Sequence, residues 1–163
     1  MFREKGNVKR GRTHLQNALR VATDINVKFL SVDCLMEEVE YYIRANKYAK
    51  ARNVVLRMTK QLKAESNVLY KIYNLMYNAR VLVAAGENSR AQTLYAQAQN
   101  YVKGLPANKI SGEIFYLKGM AYKKNGRLKE SLKMFLEAAR IFKTTGNLRY
   151  LDKVEQEIAG TSK

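Results

Sequence analysis

Apolar positions along this chain recur with a period of 40 residues. When Gly6, Asn46, Gly86 and Gly126 are aligned, the segments that follow them fall into one register. Five places after each marker stands a small residue, Gly11, Ala51, Ala91 or Ser131, and four further on a bulky apolar one, Leu15, Val55, Tyr95 or Phe135. Three places later come Ala18, Met58, Ala98 and Ala138. Steps of four and then three put all of these on one helical face, so each marker is followed by an amphipathic helix. Upstream of the markers the same steps recur in Leu35, Val39, Tyr42, in Leu75, Ala79, Leu82 and in Phe115, Gly119, Tyr122, which predicts another helix there. Gly or Asn between the two suits the left-handed backbone that ends a helix, and only a tight turn fits. The unit is therefore an antiparallel hairpin, and neither of its helices buries its apolar face alone. Successive hairpins are expected to stack over one continuous core.

The pattern predicts a single all-α repeat domain over 1–163, with full repeats at 32–65, 72–105 and 112–145. A half repeat at 8–24 has no first helix before it, and residues 147–159 read as a C-terminal capping helix. Asp152, Lys153, Glu155, Gln156 and Glu157 give that helix the polar outer face a terminal repeat needs. The N-terminal half repeat is read either as a boundary within a longer protein or as an edge covered by self-association.

An aromatic, a Gly and a Tyr on one helix, a Gly turn, then Ala or Ser, Phe and Ala on the next resemble the tetratricopeptide repeat. Residues 112–145 carry the likeness best, through Phe115, Gly119, Tyr122, Gly126, Phe135 and Ala138, with Lys118 and Lys143 departing from it. The 40-residue period is similar to the longer variants of that family. What the resemblance implies is a right-handed superhelical solenoid of antiparallel helix hairpins. Its first helices would line a concave groove and its second helices a convex side.

Charge changes the picture more than composition does. Lys and Arg number 30 against 14 Asp and Glu, a formal net charge of +16, and every quarter of the chain is net positive. Such a field favours acidic partners, whether protein, nucleic acid or membrane surface. With 47% hydrophobic residues, one Pro and no Trp, the chain is expected to fold, not to be disordered. No apolar run approaches the roughly 20 residues that span a bilayer, so no membrane insertion is expected. A single cysteine, Cys34, forms no internal disulfide, and the expected location is intracellular, cytoplasmic or nuclear.

Catalytic chemistry has little to stand on. The one histidine, His14, is read as a surface residue and Cys34 as a buried or half-buried thiol. One His with one Cys makes no zinc set. Glu37, Glu38 and Glu40 spread over more than one helical face, which suits solvation better than a cation, and the glycines lack the strand context of a phosphate loop. The expectation is no enzyme, no metal and no cofactor.

The expected function is binding. The groove implied by the resemblance takes Asp33, Met36, Glu37 and Glu40 from one first helix. It takes Tyr73, Met76, Tyr77 and Arg80 from the next, and Tyr116, Leu117, Met120, Lys123 and Lys124 from the third, with Glu113 on the same face. A Met, Tyr and Leu stripe adapts to an amphipathic helix or an extended peptide, and equally to packing within the core. The groove runs from acidic to basic, which would orient a ligand. The clamp of Lys, Asn and Arg with which members of that family hold acidic tails is missing. Basic residues concentrate on second helices, at Lys50, Arg57, Lys60, Lys129, Lys133 and Arg140, and at Lys9, Arg10 and Arg12. They are read either as a solvated surface or as the contact of a nucleic-acid-binding solenoid, the alternative to a protein-interaction scaffold.

Overall fold

The computed structural model describes residues 8–24, 28–63 and 67–161. Among them are eight helices and no strand. They are α1 (Val8–Asp24), α2 (Lys28–Arg44), α3 (Tyr48–Leu62), α4 (Val68–Ala84), α5 (Asn88–Val102), α6 (Lys109–Lys124), α7 (Leu128–Thr144) and α8 (Leu148–Thr161). The marker Gly6 lies outside the described residues, and so do the side chains of Lys9, Arg10 and Arg12 and the surroundings of Gly11. The other three markers behave as the spacing requires. Asn46, Gly86 and Gly126 have φ of 55°, 86° and 70°, and each closes its helix with the same pair of bonds. At Gly126, its own N–H donates to the Lys123 carbonyl and Arg127 N–H to that of Tyr122, each at 3.0 Å. This doubly bonded C-cap satisfies carbonyls that the helix end would leave bare.

The fourth such turn, at Gly146 (φ 67°), was not foreseen. Asn147 N–H donates to the Phe142 carbonyl at 2.9 Å, so α8 follows α7 through a tight turn.

Two compact units divide the chain, residues 1–70 and 71–163. In the first, α2 packs against α1 and α3. Leu35 and Val39 of α2 and Ala51, Val55 and Met58 of α3 are all at most 2% exposed, as their register demands. In α1 the register slips. Ala18 is exposed, whereas Ala22 one turn later is fully buried. Leu15 and Leu19, at steps of four and three from Ala22, are half-buried and share its side of α1.

In the second unit α4 and α5 share one cluster of Ile72, Met76, Ala98 and Val102 and another of Ala79, Leu82, Ala91 and Tyr95. From α6, Ile114 enters the first and Ala121 the second. A third cluster joins Phe135, Ala138 and Phe142 of α7 to Val154 of α8. Two glycines of α6 admit the α7 rings: a Cβ on Gly112 would lie 2.5 Å from Phe142, and one on Gly119 2.5 Å from Phe135. The α6 helix begins on a capping box in which Asn108 and Ser111 each bond the other's backbone.

Candidate functional site

The first helices of the second unit, α4 and α6, together with α8, bring a set of tyrosines and charges together. Arg80 of α4 lies with its guanidinium 5.3 Å from the Tyr77 ring centre, the stacking a planar cation favours. Its charge also reaches Tyr116 of α6 and Tyr150 of α8, where it favours the phenolate. Burial outweighs it at both. Tyr116 is held above the ordinary phenol range first by burial and then by the Glu157 carboxylate. Tyr150 is pushed up to about 12, by burial first and then by the charge and hydrogen bonding of Glu113, with Tyr73 adding a smaller push. Lys109 lies 3.5 Å from the Glu113 carboxylate and 5.5 Å from the Tyr150 ring centre, and Lys153 covers the same ring at 5.1 Å.

Tyr73, Tyr77, Tyr116, Tyr150 and Arg80 are all half-buried, so each shows part of itself to solvent on a supported base. Tyr150 stacks on Phe142 at 5.1 Å and Tyr116 tilts against Phe135 at 6.0 Å. Tyr116 and Tyr150 stay protonated well above neutral pH and act there as hydrogen-bonding groups, not as bases or nucleophiles.

Several residues assigned to a groove by spacing do other work. Met76 is 3% exposed and belongs to the core with Ile72 and Ala98. Leu117 is half-buried between the two α4–α5 clusters, and Met120 packs against the Phe135 cluster. The reason is helical geometry: α6 has neighbours on two sides, so its apolar arc is wider than one stripe. Lys124 donates from Nζ to the Val83 carbonyl at 2.8 Å, which fastens a cation to the C-terminus of α4. Lys123 bonds Glu157 at 2.8 Å, so Glu157 turns inward from the polar face on which it was expected. The basic end of the expected groove is thus largely engaged.

In the first unit Asp33 and Glu37 are exposed and Met36 is half-buried, while partial burial raises the Asp33 carboxyl. Glu40, expected to face a ligand, is 8% exposed and 4.0 Å from Arg44. Glu38 accepts from Arg57 at 3.2 Å, so Glu38 and Glu40 belong to separate ion pairs. Among the described residues no three His, Cys, Asp or Glu gather as a metal set. Cys34 is buried, and burial together with the Asp33 charge lifts its thiol, which weakens it as a nucleophile. This unit also holds a cleft of about 350 Å³ floored by Leu15, Leu19 and Tyr41, which the residue pattern did not single out.

All six residues assigned to the basic face, Lys50, Arg57, Lys60, Lys129, Lys133 and Arg140, are exposed. Arg140 donates to Glu137 at 2.6 Å, as Arg57 does to Glu38 at 3.2 Å. Tyr150 is the residue that spacing missed. It stands 40 residues after Ile110 on α6, but a helix read as a polar cap gave no reason to look for an inward ring.

No helix of the described chain is long and apolar enough to cross a membrane. Neither a protein-family model nor a curated protein matches the sequence, so the likeness to tetratricopeptide repeats rests on the residues quoted above.

Proposed function

We propose that this protein is a protein-interaction scaffold that binds an extended peptide or an amphipathic helix along the inner face of α4, α6 and α8, in a non-catalytic, intracellular role. The observation that carries this reading is the grouping of half-exposed Tyr73, Tyr77, Arg80, Tyr116 and Tyr150 on three helices, with the Arg80 charge against the Tyr77 ring and within reach of Tyr116 and Tyr150, and Tyr73 within reach of Tyr150. Tyrosine and arginine, with tryptophan, are enriched among the few residues that carry most of the binding energy at protein contacts, because they pair a large flat surface with a hydrogen-bonding tip. Rigid helices hold them in place before binding, which lowers the entropic cost.

The finer architecture belongs to the same proposal: a right-handed solenoid of tetratricopeptide type, with three full repeats and half repeats at each end. Its support is the register shared by three hairpins and the same pair of backbone bonds at each of their left-handed turns.

A peptide library screened against the purified chain tests the function. Peptides selected on the wild type should lose affinity for Tyr77→Ala, keep it for Lys129→Glu/Lys133→Glu, and change little between about 50 and 200 mM salt. Binding that is abolished by the lysine pair and by salt, with Tyr77→Ala silent, sinks the proposal in favour of a nucleic-acid contact on the outer helices.

A further inference from the structure

Independently of the inner face, α7 carries an exposed amphipathic arc that packing within the chain leaves unused. At 3.6 residues per turn, Leu128, Leu132 and Leu136 make one row that Lys143 continues, and Lys129, Lys133 and Arg140 make the row beside it. Leu128 is 48% and Leu136 53% exposed, and all four cations are exposed. The two acids on this helix are committed locally, Glu130 to Arg127 and Glu137 to Arg140, each at 2.6 Å. Lys129, Lys133 and Lys143 therefore set the sign of the surface.

The arrangement recurs two repeat intervals away. Positions 40 and 80 residues upstream of Leu136 are Ala96 on α5 and Leu56 on α3. Leu56 is 55% exposed, with exposed Lys60 and Lys63 following at the offsets of Arg140 and Lys143. In the repeat between, the same places hold Ala96, Asn100 and Lys103, so the bulky apolar group and one of the cations are missing there. Single exposed leucines are ordinary. A leucine centred among cations at one register position in two of the four second helices, with Gln16 and Ala96 at that position in the other two, is a more specific feature.

We propose that the outer arc of α7 docks the chain peripherally on an anionic lipid bilayer. Lysine and arginine lay their stems along the surface and reach the headgroup phosphates, while Leu128 and Leu136 enter the boundary between headgroups and acyl chains. A nucleic-acid backbone would reward the same cations and gain nothing from the leucines. That asymmetry favours the bilayer.

The test is co-sedimentation with vesicles of phosphatidylcholine alone or with about one third phosphatidylserine, beside a 20-base-pair DNA duplex. Wild-type chain should bind only the anionic vesicles. Lys129→Gln/Lys133→Gln should weaken that binding roughly fivefold for each cation neutralised. Leu128→Ser/Leu136→Ser should weaken it by about tenfold. Leu136→Phe should strengthen it, which tests the same contact should the double serine variant fail to fold. Absence of binding to anionic vesicles overturns the proposal, as does binding that responds to the lysine changes but not to the leucine changes. Tight duplex binding through the same lysines, without vesicle binding, would assign the arc to nucleic acid.

Discussion

Gly119 and Phe135 are fitted to each other: a Cβ on the glycine would lie 2.5 Å from two atoms of the ring, which itself is fully buried. The absence of a side chain at 119 lets α6 and α7 approach closely enough for the ring to fill the gap. Ser131 Oγ, one turn before Phe135, donates to the Gly119 carbonyl at 2.9 Å and pins the same crossing. Gly119→Ala should therefore lower the melting temperature by forcing the ring aside. Phe135→Ala should cost about 3 to 5 kcal/mol through the cavity it leaves. The combination Gly119→Ala/Phe135→Leu should recover part of the glycine loss, since the smaller side chain yields room. Additive losses measured by urea unfolding would mean that the two positions are not coupled.

This crossing was legible in the sequence because steps of four and three repeat at a fixed period, and only a hairpin satisfies both helices at once. The tyrosine-bearing face of α4, α6 and α8 was less legible. Spacing ranks residues by helical face, but a helix with neighbours on two sides buries two faces, and Met76 and Leu117 fell on the second. Lys124 looked like groove charge because nothing in its spacing marks the α4 carbonyls it reaches, 40 and 41 residues back in the chain. Tyr150 went unseen because its partners, Glu113 and Phe142, come from two other helices.

Lys124 is a cap supplied in trans to a neighbouring helix end, with bonds from Nζ to the Val83 and Ala84 carbonyls. Lys124→Met keeps most of the stem and removes the charge, so it should destabilise by about 0.5 to 1.5 kcal/mol. Amide exchange should quicken chiefly over the last turn of α4. An Arg at this place should restore protection. Exchange that rises evenly over the whole chain would contradict a local capping role.

Alkaline titration reads the tyrosine-bearing face of α4, α6 and α8 directly. In the folded chain Tyr150 keeps its proton to about 12, against an ordinary value near 10 in the unfolded chain. Between those values the unfolded chain has released a proton that the folded one retains, so this residue's contribution to stability falls as pH rises. Below that window its contribution is fully present. Lys118, whose ammonium burial lowers, works in the opposite sense just under its unperturbed value of 10.5, where the unfolded chain binds the extra proton. Tyr150→Phe should flatten the decline in urea-unfolding stability above pH 10. It should also remove a late component, ionising near 12, from the phenolate absorbance. An unchanged late component would place the retained proton on another ring.

Met76 and Tyr77 are adjacent in sequence and opposite in role, and that contrast gives the sharpest check on the binding face. Met76 sits among Ile72, Ala98, Val102 and Ile114 at 3% exposure, so Met76→Ala should cost about 2 to 5 kcal/mol and weaken binding only through the fold. Tyr77 is half-buried, with Arg80 stacked on its ring, so Tyr77→Ala should change stability by no more than about 1 kcal/mol. Affinity for a peptide selected on the wild type should nevertheless fall by about 1 to 3 kcal/mol, as it does when a central aromatic anchor is truncated. Calorimetric titration of both variants at a temperature where each remains folded separates the two effects. If folded Met76→Ala loses as much affinity as Tyr77→Ala, the ligand does not discriminate between the core and the face of α4. The face of α4 that carries Tyr77 would then not be the place where it binds.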